Sequence, residues 1–297
     1  MHKIRVGIIG TGNIGTDLGE RLLRNSQFEL VAIIGRRPDS PGLKRFIGRV
    51  PVLSSNGAED LQETAKLIDG FFDATSADDS PLHWKILQEA GKWLVDLTPS
   101  GIGTPLVPEL VGLVEDMNTQ KETVSNYSMV TCGGQSGAPL AYALAKNSFA
   151  IKNVEISSSI AARSAGPATR NNIDKYIETT ENLISNVCKA KESKAILVLN
   201  PAEPPVMMRT TITIRAEDYD VSKARFEVAQ IVDSIKRYVP GYEVVVSPHI
   251  QESGVLSATV KVTGAGYFLP SYAGNLDIIN AAAVQTAISH SHGTDDR

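Results

Sequence analysis

Apolar and polar positions follow two regimes along the chain. From Lys3 to about Asp96, short and almost wholly apolar runs ("IRVGIIG", "FELVAIIG", "GFFDATS", "KWLVDLT") are separated by stretches with apolar residues at helical spacing ("LGERLLRN", "LQETAKLI", "LHWKILQEA"). Such alternation predicts repeated strand and helix units, and hence a parallel sheet covered by helices on both faces. The runs "VGIIG" and "LVAIIG" have no polar alternation, so they fit central strands buried on both sides.

After the Pro- and Gly-rich "DLTPSGIGTPLVPEL" the regime changes. Strand-like "ETVSNYSMVT" leads into a helical "GAPLAYALAKNS". Strand-like "VEISSSIAARS" precedes a helix across "NIDKYIETTENLISNVCKA", and "KAILVLN" and "MMRTTITIRA" follow as strands. A helix in "SKARFEVAQIVDSIKRYV" and strands in "YEVVVS" and "SATVKVTG" complete a mixed α+β pattern. The final "SYAGNLDIINAAAVQTAIS" is helical, with Leu276, Ile279, Ala283 and Ala287 on its apolar positions. The expected division is residues 1–131, residues 132–270, and a C-terminal helix in 271–297 that returns to the first unit.

The 297 residues are 42% hydrophobic and 21% charged, enough apolar material for two medium cores. The formal charge of -4 carries no long basic or acidic run, so neither a nucleic acid nor an anionic membrane is expected as partner. No apolar run approaches the roughly 20 residues of a membrane span, and "MHKIRVGIIG" lacks the features of a secretory leader. A cytoplasmic location is expected. Two cysteines, Cys132 and Cys188, are too few for a disulfide framework, and no cluster of His, Cys and carboxylates has metal-ligand spacing.

"GTGNIG" places Gly10, Gly12 and Gly15 at GxGxxG spacing, directly after "IRVGII" and before the helix "TDLGERLLRN". In that context the glycines permit a tight turn, close approach of backbone to a pyrophosphate, and close helix packing, while free N–H groups at the helix start face phosphate. Residues 1–131 are therefore expected to form a dinucleotide-binding Rossmann domain. At the end of the second strand, where an NAD site places an acid on the ribose, stands "GRRPDS". Arg36 and Arg37 cannot accept hydrogen bonds from ribose hydroxyls, but a guanidinium can pair with a 2′-phosphate. NADP is favoured over NAD, with Asp39 as the residue that would serve a plain ribose.

In "MVTCGGQSGAP" Cys132 lies at a strand-to-helix junction. N–H groups at a helix start favour a thiolate and can hold an oxyanion; Gly133 and Gly134 leave room for a carbonyl. A free thiol is only ~3% ionised at pH 7, so a depressed pKa would make most of it nucleophilic. The alternative is a small core residue, the reading that suits Cys188. A reactive thiol beside a nicotinamide implies addition to an aldehyde, loss of hydride to the cofactor, and an enzyme thioester. Water, phosphate or coenzyme A can release the acyl group, and these residues alone do not choose.

"ATSA", "MVTCGGQ", "SAGPATRNNIDKYIETT", "ILVLNPAEPP" and "YFLPSYAGNLDI" together resemble the acylating acetaldehyde dehydrogenases, from about residue 4 to 290. The resemblance implies oxidation of acetaldehyde to acetyl-CoA, coenzyme A as cosubstrate, and a fold like the aspartate-semialdehyde and glyceraldehyde-phosphate dehydrogenases. It also implies an α+β catalytic domain carrying homodimer contacts. By the same resemblance Cys132 forms the thioester, Thr11, Gly12, Asn13 and Ile14 contact the phosphates, and Thr75 of "ATSA" joins the cofactor set. Arg163, Ser164, Ala165, Gly166, Pro167, Ala168, Thr169, Arg170 and Asn171 match a second cofactor-binding stretch, and Asn275 matches an asparagine near the nicotinamide. Members of the family often bind a pyruvate-forming aldolase that passes acetaldehyde through a tunnel.

The chain departs from that pattern in three places. An acid commonly follows the Arg of "MMR", and here Thr210 does; Glu203 and Asp174 are the candidate substitutes. "GGQATIP" is replaced by "GGQSGAP", and Ala138 in place of Ile predicts a roomier acyl pocket. Arg36 and Arg37 replace the acid after the second strand. Rival readings are an NADPH-dependent reductase of a larger acyl thioester or semialdehyde, and a cofactor-binding sensor without turnover. A phosphorylating semialdehyde dehydrogenase is disfavoured because the cysteine is followed by "GGQ" and no His stands near a matching motif; His83, His249, His290 and His292 are expected at the surface or in loops.

Overall fold

The computed structural model describes residues 3–114 and 124–295. The first half builds a sheet from β1 (Ile4–Ile9), β2 (Phe28–Ile34), β3 (Val52–Ser54), β4 (Gly70–Asp73), β5 (Trp93–Asp96), β6 (Thr104–Pro105) and β7 (Asn126–Ser128). Their order is β3-β2-β1-β4-β5-β7-β6, and every pairing is parallel. This is the doubly wound α/β arrangement, with the order reversing beside β1. Glu122 and Thr123, at the start of the run expected to form β7, lie outside the described residues.

Helices α1 (Asn13–Leu22), α2 (Pro41–Lys44), α3 (Leu61–Ala65) and α4 (Ser80–Glu89) connect these strands. The all-apolar strands put Val6, Ile8, Leu30 and Ile33 into one core, while Ile9, Val31, Ile34 and Phe71 enter another. Burial on both faces is why the strands show no polar alternation. Proline and Ser40 set α2: Ser40 Oγ accepts from the Leu43 N–H, and Pro41 occupies the first helical position. A Cβ on Gly42 would lie 2.1 Å from the Thr11 carbonyl oxygen, so α2 braces the glycine loop.

The second half centres on α5 (Cys132–Lys146), which is buried along nearly its whole length. After it come the short β8 (Ser148–Phe149), then β9 (Asn153–Ala161), α6 (Pro167–Asn171), α7 (Ile173–Cys188), β10 (Glu192–Asn200) and β11 (Met208–Arg215). β12 (Asp218–Tyr219), α8 (Val221–Ile235), β13 (Tyr242–Ile250), β14 (Leu256–Val262) and α9 (Gly274–Asp295) complete the chain. β12 pairs only with β8, while the other strands form a mixed sheet of order β10-β9-β11-β14-β13. Only β10 and β9 run parallel in it. On its inner face β9 presents Val154, Ile156, Ser158 and Ile160, and β11 presents Met208, Thr210, Ile212 and Ile214. α5 packs on this face and on α7, α8 and α9.

α9 touches both halves. The Arg21 guanidinium on α1 donates to Asp277 at 2.6 Å, Asn280 donates to Asp17 at 3.0 Å, and the Tyr127 hydroxyl meets His290 Nδ1 at 3.0 Å. His290 and His83 are both buried within helices, contrary to the surface positions expected from sequence. Each is an aromatic ring filling a core with one polar edge satisfied, His83 by Asp73 at 2.7 Å. His249 lies on β13 and His292 is exposed on α9. Among the described residues no helix is long and apolar enough to cross a membrane, and no cluster of metal-ligating side chains occurs.

Candidate active site

The three glycines of the loop between β1 and α1 divide the work in the way their spacing suggests. Gly10 turns the chain at φ +109°, and a Cβ there would sit 2.5 Å from the Ala74 carbonyl oxygen. A Cβ on Gly15 would lie 2.1 Å from the Gly10 carbonyl, so that position keeps α1 close to the loop. A Cβ on Gly12 would meet nothing within 4 Å. This is the open side, where backbone can approach a pyrophosphate, and α1 begins there with no side chain capping its N–H groups.

Two cavities flank this loop. Gly10, Thr11, Gly12, Arg36, Arg37 and Thr75 line the first. Thr75 is fixed there by Asp73, which accepts from its N–H and its hydroxyl. Arg36 is 72% exposed and pairs with Asp79 at 3.1 Å, which holds its guanidinium at the mouth. Ile14, Cys132, Thr169, Tyr176 and Asn275 line the second, a narrow cavity of about 90 Å³. Asn13 is exposed at the start of α1, and Asp39 is exposed after β2 without lining either cavity.

Cys132 is the first residue of α5. Thr131 caps the helix, its hydroxyl accepting from the Gly134 N–H at 2.9 Å. The turn that delivers the cysteine passes through Val130 at φ +51°, a left-handed conformation that β-branched residues avoid at a cost of about 1–3 kcal/mol. Cys132 is buried, with 7% of the residue exposed, and its sulfur is 3.8 Å from the Tyr176 hydroxyl. Burial pushes its pKa up to about 11, against the opposing pull of Tyr176 and of the Gly133 and Cys132 N–H groups. The depressed pKa expected for a thiol at a helix start is thus reversed: the helix terminus acts in the expected direction, but loss of solvent outweighs it. Cys188 is buried on α7, and burial alone raises its thiol to about 12.

Of the second expected cofactor stretch, Thr169 lines the cysteine cavity, alone among the residues whose side chains are described. Arg163 is exposed and pairs with Glu203 at 2.8 Å, and Asn171 is exposed. Ser164 and Ala165 are buried, Gly166 caps α6, and Pro167 and Ala168 open it. Arg170 ties this loop together by donating to the Ala162 and Ala165 carbonyls. Asn275 carries a buried Oδ1 without a hydrogen-bond partner, an acceptor aimed at need of a donor.

Neither suggested substitute for the missing acid stands at Cys132. Glu203 is committed to Arg163 at the surface and Asp174 is exposed on the first turn of α7; neither lines the cavity. Ala138 is fully buried in the core six residues along α5 and does not line the cavity either. Its smaller side chain therefore does not widen the acyl site. Sequence reading missed Tyr176 and Lys175, which line the cavity from α7, and Pro99 and Gly101, which line it from the loop after β5.

Residues 132–270 match the family model described as "Prokaryotic acetaldehyde dehydrogenase, dimerisation". The acetaldehyde dehydrogenase of Pectobacterium atrosepticum is 42% identical over 285 residues, covering 95% of this chain and 94% of that protein. The chain belongs to the acetaldehyde dehydrogenase family. Other members include the acetaldehyde dehydrogenase of Spirochaeta aurantia, 42% identical over 96% of this chain and 93% of that protein. That of Geobacillus stearothermophilus is 40% identical over 97% and 96% respectively.

Proposed function

We propose that this family member is a CoA-acylating aldehyde dehydrogenase. It interconverts acetaldehyde or another short aldehyde, coenzyme A and oxidised dinucleotide with acyl-CoA and reduced dinucleotide, through a thioester on Cys132. The observation that carries the reading is the opening of Cys132, at the first turn of α5, into the cavity lined by Ile14 of the glycine loop and by Asn275.

The residues fit a nicotinamide dinucleotide. Gly12 and the uncapped start of α1 suit its pyrophosphate, Thr75 and the arginines suit the adenosine half, and the unpartnered Asn275 oxygen suits a carboxamide N–H. When bound, the dinucleotide supplies a two-electron hydride acceptor. Cys132 adds its sulfur to the aldehyde carbon, and the Gly133 N–H at the helix start favours that sulfur in its ionised form before it attacks. Oxidation leaves a thioester; the coenzyme A sulfur then attacks its carbonyl carbon, the bond to Cys132 breaks, and the enzyme thiol is regenerated. Among the described lining residues, the ionisable groups beside Cys132 are Lys175 and Tyr176. No carboxylate or imidazole among the described lining residues stands ready to activate water, which favours an acceptor that is itself a thiol.

Arg36 and Arg37 favour NADP. Replacing both by alanine is expected to weaken NADPH binding about tenfold or more while changing NADH binding much less, as fluorescence titration of the reduced cofactors will show. The dimerisation match at residues 132–270, with Val198, Val246 and Ile250 exposed on the mixed sheet, supports a homodimer. The pyruvate-forming aldolase is the larger partner that the sequence resemblance suggests, and two free buried cysteines accord with a cytoplasmic setting.

The direct test follows the loss of nicotinamide absorbance with acetyl-CoA and longer acyl-CoAs, each with NADH and with NADPH. Turnover with free coenzyme A released supports the proposal. Tight cofactor binding without turnover on any acyl-CoA would leave only a dinucleotide-binding sensor.

A further inference from the structure

Four hydroxyl groups from four elements meet beneath Cys132. Ser158 on β9 and Thr210 on β11 are directly opposed in the strand register, at inward positions whose neighbours are otherwise apolar, and both are 0% exposed. Their oxygens are 3.1 Å apart. Thr210 Oγ1 is 2.7 Å from Ser136 Oγ on α5, and the Ser136 hydroxyl donates to the Gly133 carbonyl at 3.2 Å. The Tyr176 hydroxyl on α7 faces Ser158 and stands 3.8 Å from the Cys132 sulfur.

The far end of this chain fixes its direction. A carbonyl only accepts, so Ser136 spends its one proton on Gly133 and must accept from Thr210. Thr210 in turn accepts from Ser158, whose oxygen then has only acceptor capacity left for the phenol. The phenol proton of Tyr176 is therefore the one with a choice, between Ser158 Oγ and Cys132 Sγ. A Cβ on Gly133 would lie 2.1 Å from the phenol oxygen and 2.8 Å from Ser158 Oγ, so glycine at that position lets the phenol reach the sulfur.

We infer that Tyr176 is a catalytic residue whose hydroxyl donates to the Cys132 sulfur once it ionises, and that Ser158, Thr210 and Ser136 are positioning residues that hold the phenol ready. This rests on the reading of Cys132 as nucleophile. With the thiol protonated, S–H donates to the phenol oxygen and the phenol donates to Ser158. On ionisation the thiol proton leaves through the cavity to water, the phenol turns its proton to the sulfur, and no hydroxyl in the chain changes charge. Burial keeps the Tyr176 phenol well above its ordinary range, so it stays a neutral donor. Thr210, at the position where the sequence resemblance leads to the expectation of an acid, then serves by orientation rather than by taking a proton.

The test is the rate of iodoacetamide alkylation of the full-length protein against pH, with Cys132→Ser as the blank for Cys188. Lys175, paired with Glu178 at 3.2 Å, is the other charged side chain lining the cavity; the described lining residues of α5 and α9 add none apart from Cys132. Tyr176→Phe is expected to move the inflection up by about one unit and to slow alkylation about tenfold below it, because a hydrogen bond to an ionised group is lost. Thr210→Val is expected to move it less in the same direction, with Thr210→Ser restoring the parent profile, and kcat/KM falling in step while NADPH affinity holds. Circular dichroism and cofactor binding verify folding; should Tyr176→Phe not fold, the Thr210 pair decides. Superimposable alkylation profiles for variants and parent overturn the role of Tyr176, and if Cys132→Ser is inactive the nucleophile reading stands regardless. A fully active Cys132→Ser overturns both.

Discussion

Replacing Cys132 by serine is expected to lower turnover on the order of 10⁴-fold, with acyl-CoA and dinucleotide still binding. Serine keeps the shape of the site, so Thr131 still caps α5 and the cavity is preserved. The hydroxyl, however, is far harder to ionise than a thiol, and no lining imidazole or carboxylate among the described residues is placed to remove its proton. Even the thiol is raised to about 11 by burial, so the site has little reserve with which to activate a weaker acid. Mass spectrometry after mixing with acetyl-CoA should show an acetyl adduct on the parent protein and none on the variant. An adduct on the variant, or residual activity within tenfold of the parent, would remove the thioester from the mechanism.

Asp277→Asn is expected to destabilise the protein by about 3 kcal/mol or more in denaturant unfolding, and to weaken dinucleotide binding. The pair it breaks is nearly dry: the Arg21 and Asp277 side chains are 10% and 7% exposed and 2.6 Å apart. Burial raises the Asp277 pKa even with Arg21 opposing it, a sign of how much solvent has been lost. Removing the carboxylate charge takes the counter-ion from a guanidinium in that setting and leaves it neutral contacts, the amide oxygen of the new side chain and the Tyr267 ring at 5.0 Å. The same carboxylate accepts from the Ala265 N–H at 3.0 Å and lies two residues from Asn275. Loosening it therefore disturbs the cofactor side as well. The double change Arg21→Met, Asp277→Leu should recover most of the stability, since an apolar pair leaves no buried charge unpaired.

The parallel sheet was legible because its strands carry so little polar sequence: "IRVGII" and "FELVAII" are β1 and β2, buried on both faces. The glycine loop was legible because its spacing is local: Gly10 and Gly15 are required by close backbone contacts, and Gly12 leaves the turn open on its outer side. The cysteine was found as a position and misjudged as an acid, since helix direction is local information while burial depends on what α7 and α9 bring against it. The hydroxyl chain was out of reach for a related reason. Positions 136, 158, 176 and 210 have no common spacing, and only the fold makes neighbours of them. A trace was present in the strand patterns, where Ser158 and Thr210 interrupt alternating inward apolar residues. Such interruptions mark buried polar groups that must find partners. Ala138 shows the opposite hazard: nearness to Cys132 along the helix suggested a shared pocket, yet it faces the core.

Val130 has a bearing on how the site is assembled. Because the main chain enters α5 through a left-handed residue, part of the cost of setting Cys132 on the first turn of that helix is borne two residues upstream, by a side chain with no polar group to offer the cavity it lines.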